Sequence, residues 1–237
     1  MIRTREAIVL AGGLGTRLQE VLSGIPKCMA PVNGKPFLIY VLDYLLRQNI
    51  NKVILSVGYL KDHIINYFGD NYKLLKIVYA IENEPLGTGG AIKLSFGFCK
   101  QDEAFVLNGD TCFFPAMKAM ENLHFSETAD ITIAVKQMND TARYGLVLTD
   151  QSGRIKDFRE KEPSTGAGLI NGGIYLINRK LVDVFPNQKF SLENDIFKTS
   201  CSEFKMQSFQ SDGFFLDIGI PEDYVKAQTI IPLHGKR

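Results

Sequence analysis

A glycine-rich segment near the amino terminus reads Ile8-Val9-Leu10-Ala11-Gly12-Gly13-Leu14-Gly15-Thr16-Arg17-Leu18, and Pro26-Lys27 follows shortly after it. The apolar run before the glycines shows no polar alternation, which predicts a strand buried on both faces. Glycines after such a strand let a ligand approach backbone N–H groups closely, and N–H groups at the start of a helix bind anions. Arg17 and Lys27 add two cations, so the segment predicts a site for several phosphates.

Two common phosphate-binding motifs do not fit this segment. The Walker pattern ends in Gly-Lys-Ser/Thr, which residues 12–17 lack. The dinucleotide pattern places a third glycine where Leu18 stands. A plain glycine turn with solvated Arg17 and Lys27 is the alternative. The combination Gly-Gly-x-Gly-Thr-Arg-Leu with a downstream Pro-Lys is more specific than a plain glycine turn requires, so it favours the phosphate site.

The motifs resemble the signature of the sugar-1-phosphate nucleotidylyltransferases. The resemblance covers nearly the whole chain and continues through Gly87-Thr88-Gly89, Asn108-Gly109-Asp110, Glu160-Lys161, Asn171-Gly172-Gly173 and Asp217-Ile218-Gly219-Ile220-Pro221. Within the family, Pro26–Val32 and Leu86–Gly90 are most similar to the guanylyltransferases of D-glycero-D-manno-heptose 1-phosphate. The same two segments are more loosely similar to the guanylyltransferases of mannose 1-phosphate. Thymidylyl enzymes of the family carry Leu-Ala-Gln after the glycine where this chain has Thr88-Gly89-Gly90, which favours guanine or uracil.

Length and composition are those of one large globular domain. The chain has 237 residues, 45% of them hydrophobic and 22% charged. The formal net charge of +1 argues against a nucleic-acid partner. There is no apolar run long enough to span a membrane and no signal-peptide pattern in the sequence, so we expect a cytoplasmic protein without a membrane partner.

Apolar segments alternate with helical patterns in the first half of the chain, which predicts a doubly wound α/β sheet. The expected strands there are centred on Ile8–Leu10, Val53–Val57, Ile77–Tyr79 and Ala104–Leu107. The expected helices begin at Pro36, near Ile64 and at Ala91, with residues 84–90 as a loop. Ligands bind beyond the carboxyl ends of the strands in such sheets. We therefore expect Gly12, Gly58, Gly87 and Asp110 to converge on one crevice.

The second half is richer in predicted strands. The candidates are Ile131–Val135, Leu146–Leu148, Ile155–Glu160, Gly173–Ile177, Lys205–Phe209 and Phe214–Leu216, followed by a helix over Pro221–Gln228 and a frayed tail from Pro232. The resemblance implies a Rossmann-like mixed sheet of the glycosyltransferase-A type, without the C-terminal β-helix of some relatives. It also implies a nucleotide-binding half over residues 1–112, approximately, and a sugar-phosphate-binding half over residues 113–237. Relatives are often dimers or tetramers, so the resemblance allows a homo-oligomer.

Two aspartates are expected to bind Mg²⁺. Asp110 ends an apolar strand in Asn108-Gly109-Asp110, and Asp217 follows Phe215-Leu216 and precedes a glycine. A carboxylate fixed at the end of a strand does not favour stability unless it binds something. Mg²⁺ is bound by one or two carboxylates plus phosphate oxygens. The alternative is an aspartate that caps a turn.

The resemblance implies attack by a sugar-1-phosphate oxygen on the α-phosphorus of GTP, with Mg²⁺ as cofactor and pyrophosphate as leaving group. The residues implied as catalytic are Arg17, Lys27 and Asp110. Those implied to contact the nucleotide are Leu10, Ala11, Gly12, Gly13, Gly15, Thr16, Glu84, Gly87, Thr88, Gly89, Asn108 and Gly109. Those implied to contact the sugar phosphate are Tyr144, Gly145, Glu160, Lys161, Asn171, Gly172 and Glu193.

Three functions are compatible with these motifs. The first is formation of a GDP-heptose for surface polysaccharides, with Glu84 and backbone carbonyls near Gly87 and Gly89 accepting the guanine donors. The second is the same reaction with mannose 1-phosphate or with UTP, dTTP or CTP. The third is a non-catalytic nucleotide-sugar sensor. A sensor would be expected to have lost Arg17, Lys27, Asp110 or Asp217, and all four are present.

Overall fold

A mixed sheet of ten strands forms the centre of the computed structural model. The structure describes residues 2–13, 22, 24–159, 166–201 and 203–234, with the backbone alone for 232–234. The strands are β1 (Glu6–Leu10), β2 (Pro31–Val32), β3 (Lys35–Pro36), β4 (Lys52–Val57), β5 (Asn71–Tyr72), β6 (Leu75–Ile81), β7 (Glu103–Asn108), β8 (Thr111–Phe113), β9 (Ile131–Met138), β10 (Leu146–Thr149), β11 (Ile155–Arg159), β12 (Gly168–Asn178), β13 (Met206–Gln210) and β14 (Phe215–Asp217).

Helices connect these strands. They are α1 (Phe37–Arg47), α2 (Lys61–Phe68), α3 (Gly87–Phe96), α4 (Met117–Ser126), α5 (Arg179–Asp183), α6 (Lys198–Ser200) and α7 (Pro221–His234), with a 3₁₀ turn at Lys27–Met29 and a π-helical segment at Leu192–Phe197. The described residues contain no helix that is both long enough and apolar enough to cross a membrane.

The sheet joins a parallel half to an antiparallel half. Strands β6, β4, β1 and β7 lie side by side and are parallel, as the doubly wound prediction requires. Strand β12 then pairs antiparallel with β7 and β9, and β13 runs parallel to β9. Separately, β8 and β14 form a two-stranded antiparallel pair. The mixed α/β architecture expected from the sequence is confirmed.

Burial on both faces of the sheet explains the apolar strands. Ala7 and Val9 of β1 belong to one hydrophobic cluster, and Ile8 between them belongs to another on the opposite face. Side chains alternate across a strand, so a central strand covered on both sides needs apolar residues at every position. This arrangement fixes the carboxyl ends of the parallel strands at one edge of the core.

The boundaries of α3 and α7 differ from the prediction. Residues 87–90, expected in a loop, form the first turn of α3, although glycine is a poor helix former. The turn is stabilised from outside, because the Gly89 N–H donates to the Phe190 carbonyl and the Phe190 N–H donates to the Leu86 carbonyl. Helix α7, expected to end at Gln228, continues through Pro232 to His234, and residues 235–237 of the expected frayed tail are outside the described residues.

Candidate active site

A cavity of about 690 Å³ opens where the parallel strands end. Gly12 follows β1, Gly58 follows β4, Gly87 begins α3 after β6, and Asp110 follows β7; all four line this cavity. Parallel strands end at one edge of a sheet, which is why these segments meet although they are far apart in sequence. The expected convergence of the four residues is present.

Most of the predicted nucleotide contacts surround the same cavity. Those that line it are Leu10, Gly12, Gly13, Glu84, Gly87, Thr88 and Asn108. Ala11, Gly89 and Gly109 lie behind the lining, where their N–H groups donate to the carbonyls of Ser56, Phe190 and Leu10. Gly15, Thr16 and Arg17 are outside the described residues.

Glu82 is a lining residue that the sequence analysis did not single out. Its Oε1 accepts a hydrogen bond from the Ser56 hydroxyl at 3.0 Å, and its Oε2 accepts one from the Leu86 N–H at 3.1 Å. A Cβ on Gly12 would stand 2.9 Å from the same carboxylate, so Gly12 allows the glycine-rich segment to pass close to Glu82. The predicted acceptor Glu84 also lines the cavity, but it is exposed.

Three further lining residues had no signal in the sequence analysis. Lys61 at the start of α2 and Lys189 before the π-helical segment bring two cations to a cavity that also holds Glu82, Glu84 and Asp110. Tyr59 adds a half-exposed aromatic ring.

A second, smaller cavity of about 150 Å³ lies beside the first. It is lined by five of the predicted sugar-phosphate contacts, which are Tyr144, Gly145, Asn171, Gly172 and Glu193. Glu160 and Lys161 are outside the described residues. Arg143 also lines this cavity and was not predicted; it forms an ion pair with Asp223 at 2.7 Å, and its guanidinium lies 5.5 Å from the centre of the Tyr144 ring.

An irregularity in β12 shapes the second cavity. The pairing of β12 with β9 shifts between Asn171 and Ile174, and Gly173 has φ +72°. A Cβ on Gly173 would stand 2.6 Å from the Asn108 amide nitrogen, so a larger residue does not fit there. Bulges of this kind redirect side chains next to active sites. Here the bulge brings the Asn-Gly-Gly motif against Asn108, which lines both cavities.

Lys27 lies between the two predicted metal ligands. Its Nζ is 2.7 Å from Asp110 Oδ2 and 3.5 Å from Asp217 Oδ1. Burial lowers the pKa of Lys27, but the charges of Asp110 and Asp217 outweigh burial and raise it overall. Burial and the neighbouring charge of Asp110 raise the pKa of Asp217. The two carboxylates therefore need a cation between them, and Lys27 is that cation in this structure.

Antiparallel pairing of β8 with β14 brings the two carboxylates together. Thr111, directly after Asp110, pairs with Asp217, and the Ile218 N–H donates to the Asp110 carbonyl. Asp110 lines the larger cavity and Asp217 the smaller one. The two cavities thus meet at an acidic pair with one lysine.

The donor set suits Mg²⁺. One ammonium contacts both carboxylates, so the oxygens of Asp110 and Asp217 lie near a common point. In the described parts of the chain, no cluster of three or more His, Cys, Asp or Glu side chains is placed to hold a metal ion. The pair would supply two oxygen ligands and leave the remaining positions to phosphate oxygens and water, which is the usual coordination of Mg²⁺.

Comparisons with known proteins show which family the chain belongs to. Residues 6–232 match the family described as nucleotidyl transferase. A D-glycero-alpha-D-manno-heptose 1-phosphate guanylyltransferase of Aneurinibacillus thermoaerophilus is 46% identical over 94% of this chain and 96% of its own length. A protein of the same name from Campylobacter jejuni is 47% identical over 92% of this chain and 96% of its own.

A solved structure extends the comparison to three dimensions. HddC from Yersinia pseudotuberculosis, crystallised as a complex with GMP-PN, superimposes with a TM-score of 0.83 at 38% identity, over 95% of this chain and 98% of its own. The family resemblance of the motifs is confirmed. The chain belongs to the nucleotidyl transferase family.

Proposed function

We propose that the protein transfers a guanylyl group from GTP to D-glycero-α-D-manno-heptose 1-phosphate, giving GDP-heptose and pyrophosphate for surface polysaccharide synthesis. The observation that carries the proposal is the meeting of two cavities at Asp110, Lys27 and Asp217. The names of the relatives with 46% and 47% identity and the GMP-PN complex of HddC support the choice of guanine and heptose.

The division of the chain into two substrate-binding halves fits the lining of the cavities. The larger cavity takes its lining from residues 10–110, with Lys189 as the exception. The smaller cavity takes its lining from residues 108–217. In our proposal GTP occupies the larger cavity and the sugar phosphate the smaller one, so that the α-phosphate faces the attacking oxygen where the two cavities meet.

Glu82 is our candidate for reading the base. Guanine presents two neighbouring donors, N1–H and the 2-amino group, and a carboxylate offers two acceptor oxygens to such a pair. Ser56 and the Leu86 N–H use one acceptor position on each Glu82 oxygen, and a carboxylate has about four in all. Adenine would place its N1 lone pair against the carboxylate and leave acceptors unpaired, the kind of mismatch that discriminates strongly. Lys61 in the same cavity provides a donor for guanine O6.

The reaction requires little proton chemistry. The nucleophile is a phosphate monoester, which is mostly dianionic at neutral pH because its second pKa is about 6. Attack of its oxygen on the α-phosphorus forms the new P–O bond as the bond to pyrophosphate breaks. The main barrier is the approach of two anions, so catalysis comes from positioning and charge neutralisation.

The roles of the residues follow from this barrier. Asp110 and Asp217 would hold Mg²⁺, which supplies positive charge to the reacting phosphates when it is bound. Lys27 would leave the aspartates for the phosphates of the nucleotide. Three further predicted roles belong to residues outside the described part of the chain. We propose that Arg17 contacts the β- and γ-phosphates, Lys161 the sugar phosphate and Glu160 the sugar hydroxyls.

A matrix of substrates tests the proposed function. GTP, UTP, CTP, dTTP and ATP would each be combined with heptose, mannose and glucose 1-phosphates, and pyrophosphate release would be measured. We expect the highest kcat/KM for GTP with the heptose phosphate and the lowest values for ATP. A preference for mannose 1-phosphate would retain guanine and reject heptose. Comparable values for UTP or CTP would reject guanine, and no turnover with any pair would reject the enzyme activity.

A further inference from the structure

The hydroxyl of Thr88 connects the two cavities. Thr88 lines the larger cavity from the first turn of α3. Its Oγ1 donates a hydrogen bond to Glu193 Oε2 at 2.6 Å and accepts one from the Leu192 N–H at 2.9 Å. Glu193 lines the smaller cavity. One side chain in the nucleotide cavity therefore holds a carboxylate of the other cavity in place.

Glu193 is fixed by more than one group. The Ser191 hydroxyl donates to the same Oε2 at 3.0 Å, and the Ser191 oxygen accepts from the Asn194 N–H at the start of the π-helical segment. Hydrogen bonds from two hydroxyls restrict the rotation of this half-buried carboxylate.

Tyr175 supports a second residue of the smaller cavity, Asn171. The Tyr175 side chain is fully buried, and its hydroxyl oxygen accepts a hydrogen bond from Asn171 Nδ2 at 2.8 Å. The phenolic proton is then left for another acceptor, as buried hydroxyls require. Burial and the neighbouring Glu193 carboxylate raise the pKa of Tyr175. The tyrosine thus holds Asn171 by a hydrogen bond and lies close to Glu193, and both of these residues line the smaller cavity.

Close packing makes the first turn of α3 and residues 190–193 a single unit. A Cβ on Gly89 would overlap the Phe190 ring, and a Cβ on Gly87 would overlap the Phe190 carbonyl. Hydrogen bonds from the Gly89 N–H to the Phe190 carbonyl and from the Phe190 N–H to the Leu86 carbonyl join the two segments. A shift of this turn on nucleotide binding would consequently move Glu193 with it.

We propose that Thr88 and Tyr175 are positioning residues for the sugar-phosphate cavity, Thr88 acting through Glu193 and Tyr175 through Asn171, and that Thr88 couples this cavity to the nucleotide cavity. The proposal rests on the proposed function in that the ligand of the smaller cavity is a sugar 1-phosphate whose hydroxyls bind the carboxylate. It assigns to Thr88 a second role besides contact with the nucleotide.

Steady-state kinetics of Thr88→Val test the proposal, with Thr88→Ser as the matched control. Valine keeps the shape of threonine and removes the hydroxyl, whereas serine keeps the hydroxyl. A hydrogen bond to a charged group is worth about tenfold in binding or more. We expect Thr88→Val to raise the KM for the sugar phosphate about tenfold, with a smaller change in the KM for GTP, and Thr88→Ser to raise the KM for the sugar phosphate clearly less than Thr88→Val does.

A double-mutant cycle with Glu193→Ala separates positioning from general damage. If Thr88 acts through Glu193, Thr88→Val should change the KM for the sugar phosphate less than twofold when Glu193 is already alanine. Fully additive effects, or an unchanged KM in the single variant, would overturn the proposal. These measurements use the substrate pair that gives the highest turnover in the wild-type matrix. An inactive wild type would reject the proposed function, whereas additive effects in an active enzyme would reject the coupling.

Tyr175→Phe provides a second variant in case Thr88→Val does not fold. Phenylalanine fills the same buried space and removes the hydroxyl that accepts the Asn171 hydrogen bond. We expect a rise of several-fold in the KM for the sugar phosphate and an unchanged KM for GTP. Equal changes in both KM values would indicate a general loss of structure and contradict the assignment.

Discussion

Asp110→Asn is expected to lower kcat by about 10²–10³, the usual loss when one preorganised electrostatic contact is removed. Asp110 Oδ2 lies 2.7 Å from Lys27 Nζ, and its neighbour Asp217 lies 3.5 Å from the same nitrogen. The amide of asparagine keeps the size of the side chain and removes half of the negative charge that would hold Mg²⁺. The measurement is kcat with saturating GTP and sugar phosphate, together with thermal unfolding to verify the fold.

Asp102→Asn is the matched control for this variant. The side chain of Asp102 is 82% exposed and forms a long ion pair of 3.7 Å with Arg179. Its substitution should leave kcat within about twofold of the wild type, as is usual for surface changes. The wild type should also lose turnover in EDTA and regain it with Mg²⁺. Full activity of Asp110→Asn, or turnover that persists in EDTA, would refute the metal-binding role.

Glu82→Gln is expected to lower kcat/KM for GTP by about 10² or more, because each hydrogen bond to a charged group is worth about 1.5–3 kcal/mol. Glutamine keeps one carbonyl oxygen for Ser56 or Leu86 and places an amino group against the guanine donors. Because a pyrimidine does not present guanine's pair of donors, kcat/KM for UTP should change little. The measurement is the ratio of kcat/KM for GTP to kcat/KM for UTP in each variant.

Glu84→Gln is the corresponding control, since Glu84 lines the same cavity and is exposed. It should retain the wild-type preference for GTP. A larger loss in Glu84→Gln than in Glu82→Gln would return base recognition to Glu84, the residue that the sequence analysis favoured. A loss of equal size for all nucleotides in Glu82→Gln would show that Glu82 supports the cavity without reading the base.

The parallel half of the sheet was predictable because local patterns determine it. Strand β1 is apolar throughout, since both of its faces are covered. Phe37, Val41 and Leu45, whose helical spacing predicts helix α1, are buried in it. Glycines and Asp110 follow strands of this half, and the topology of a parallel sheet suffices to bring them together.

Contacts between distant segments account for what the sequence analysis missed. The helix start at Gly87 depends on hydrogen bonds with Phe190, a residue of the second half of the chain. Glu82 and Glu84 are both acidic residues of the same segment, and only the cavity shows that Glu82 is half-buried while Glu84 is exposed. The closeness of Asp217 to Asp110 depends on the register of β14 against β8, which has no local signal.

The contact between Gly89 and Phe190 also limits how this chain can change. A methyl group at position 89 and the ring at position 190 would require the same volume. Overpacking of this kind is relieved only if the neighbour becomes smaller or the backbone moves. A side chain at position 89 therefore requires a smaller residue at position 190 or a shift of the backbone. Attempts to redesign the loop before the π-helical segment must treat both positions as one unit of sequence.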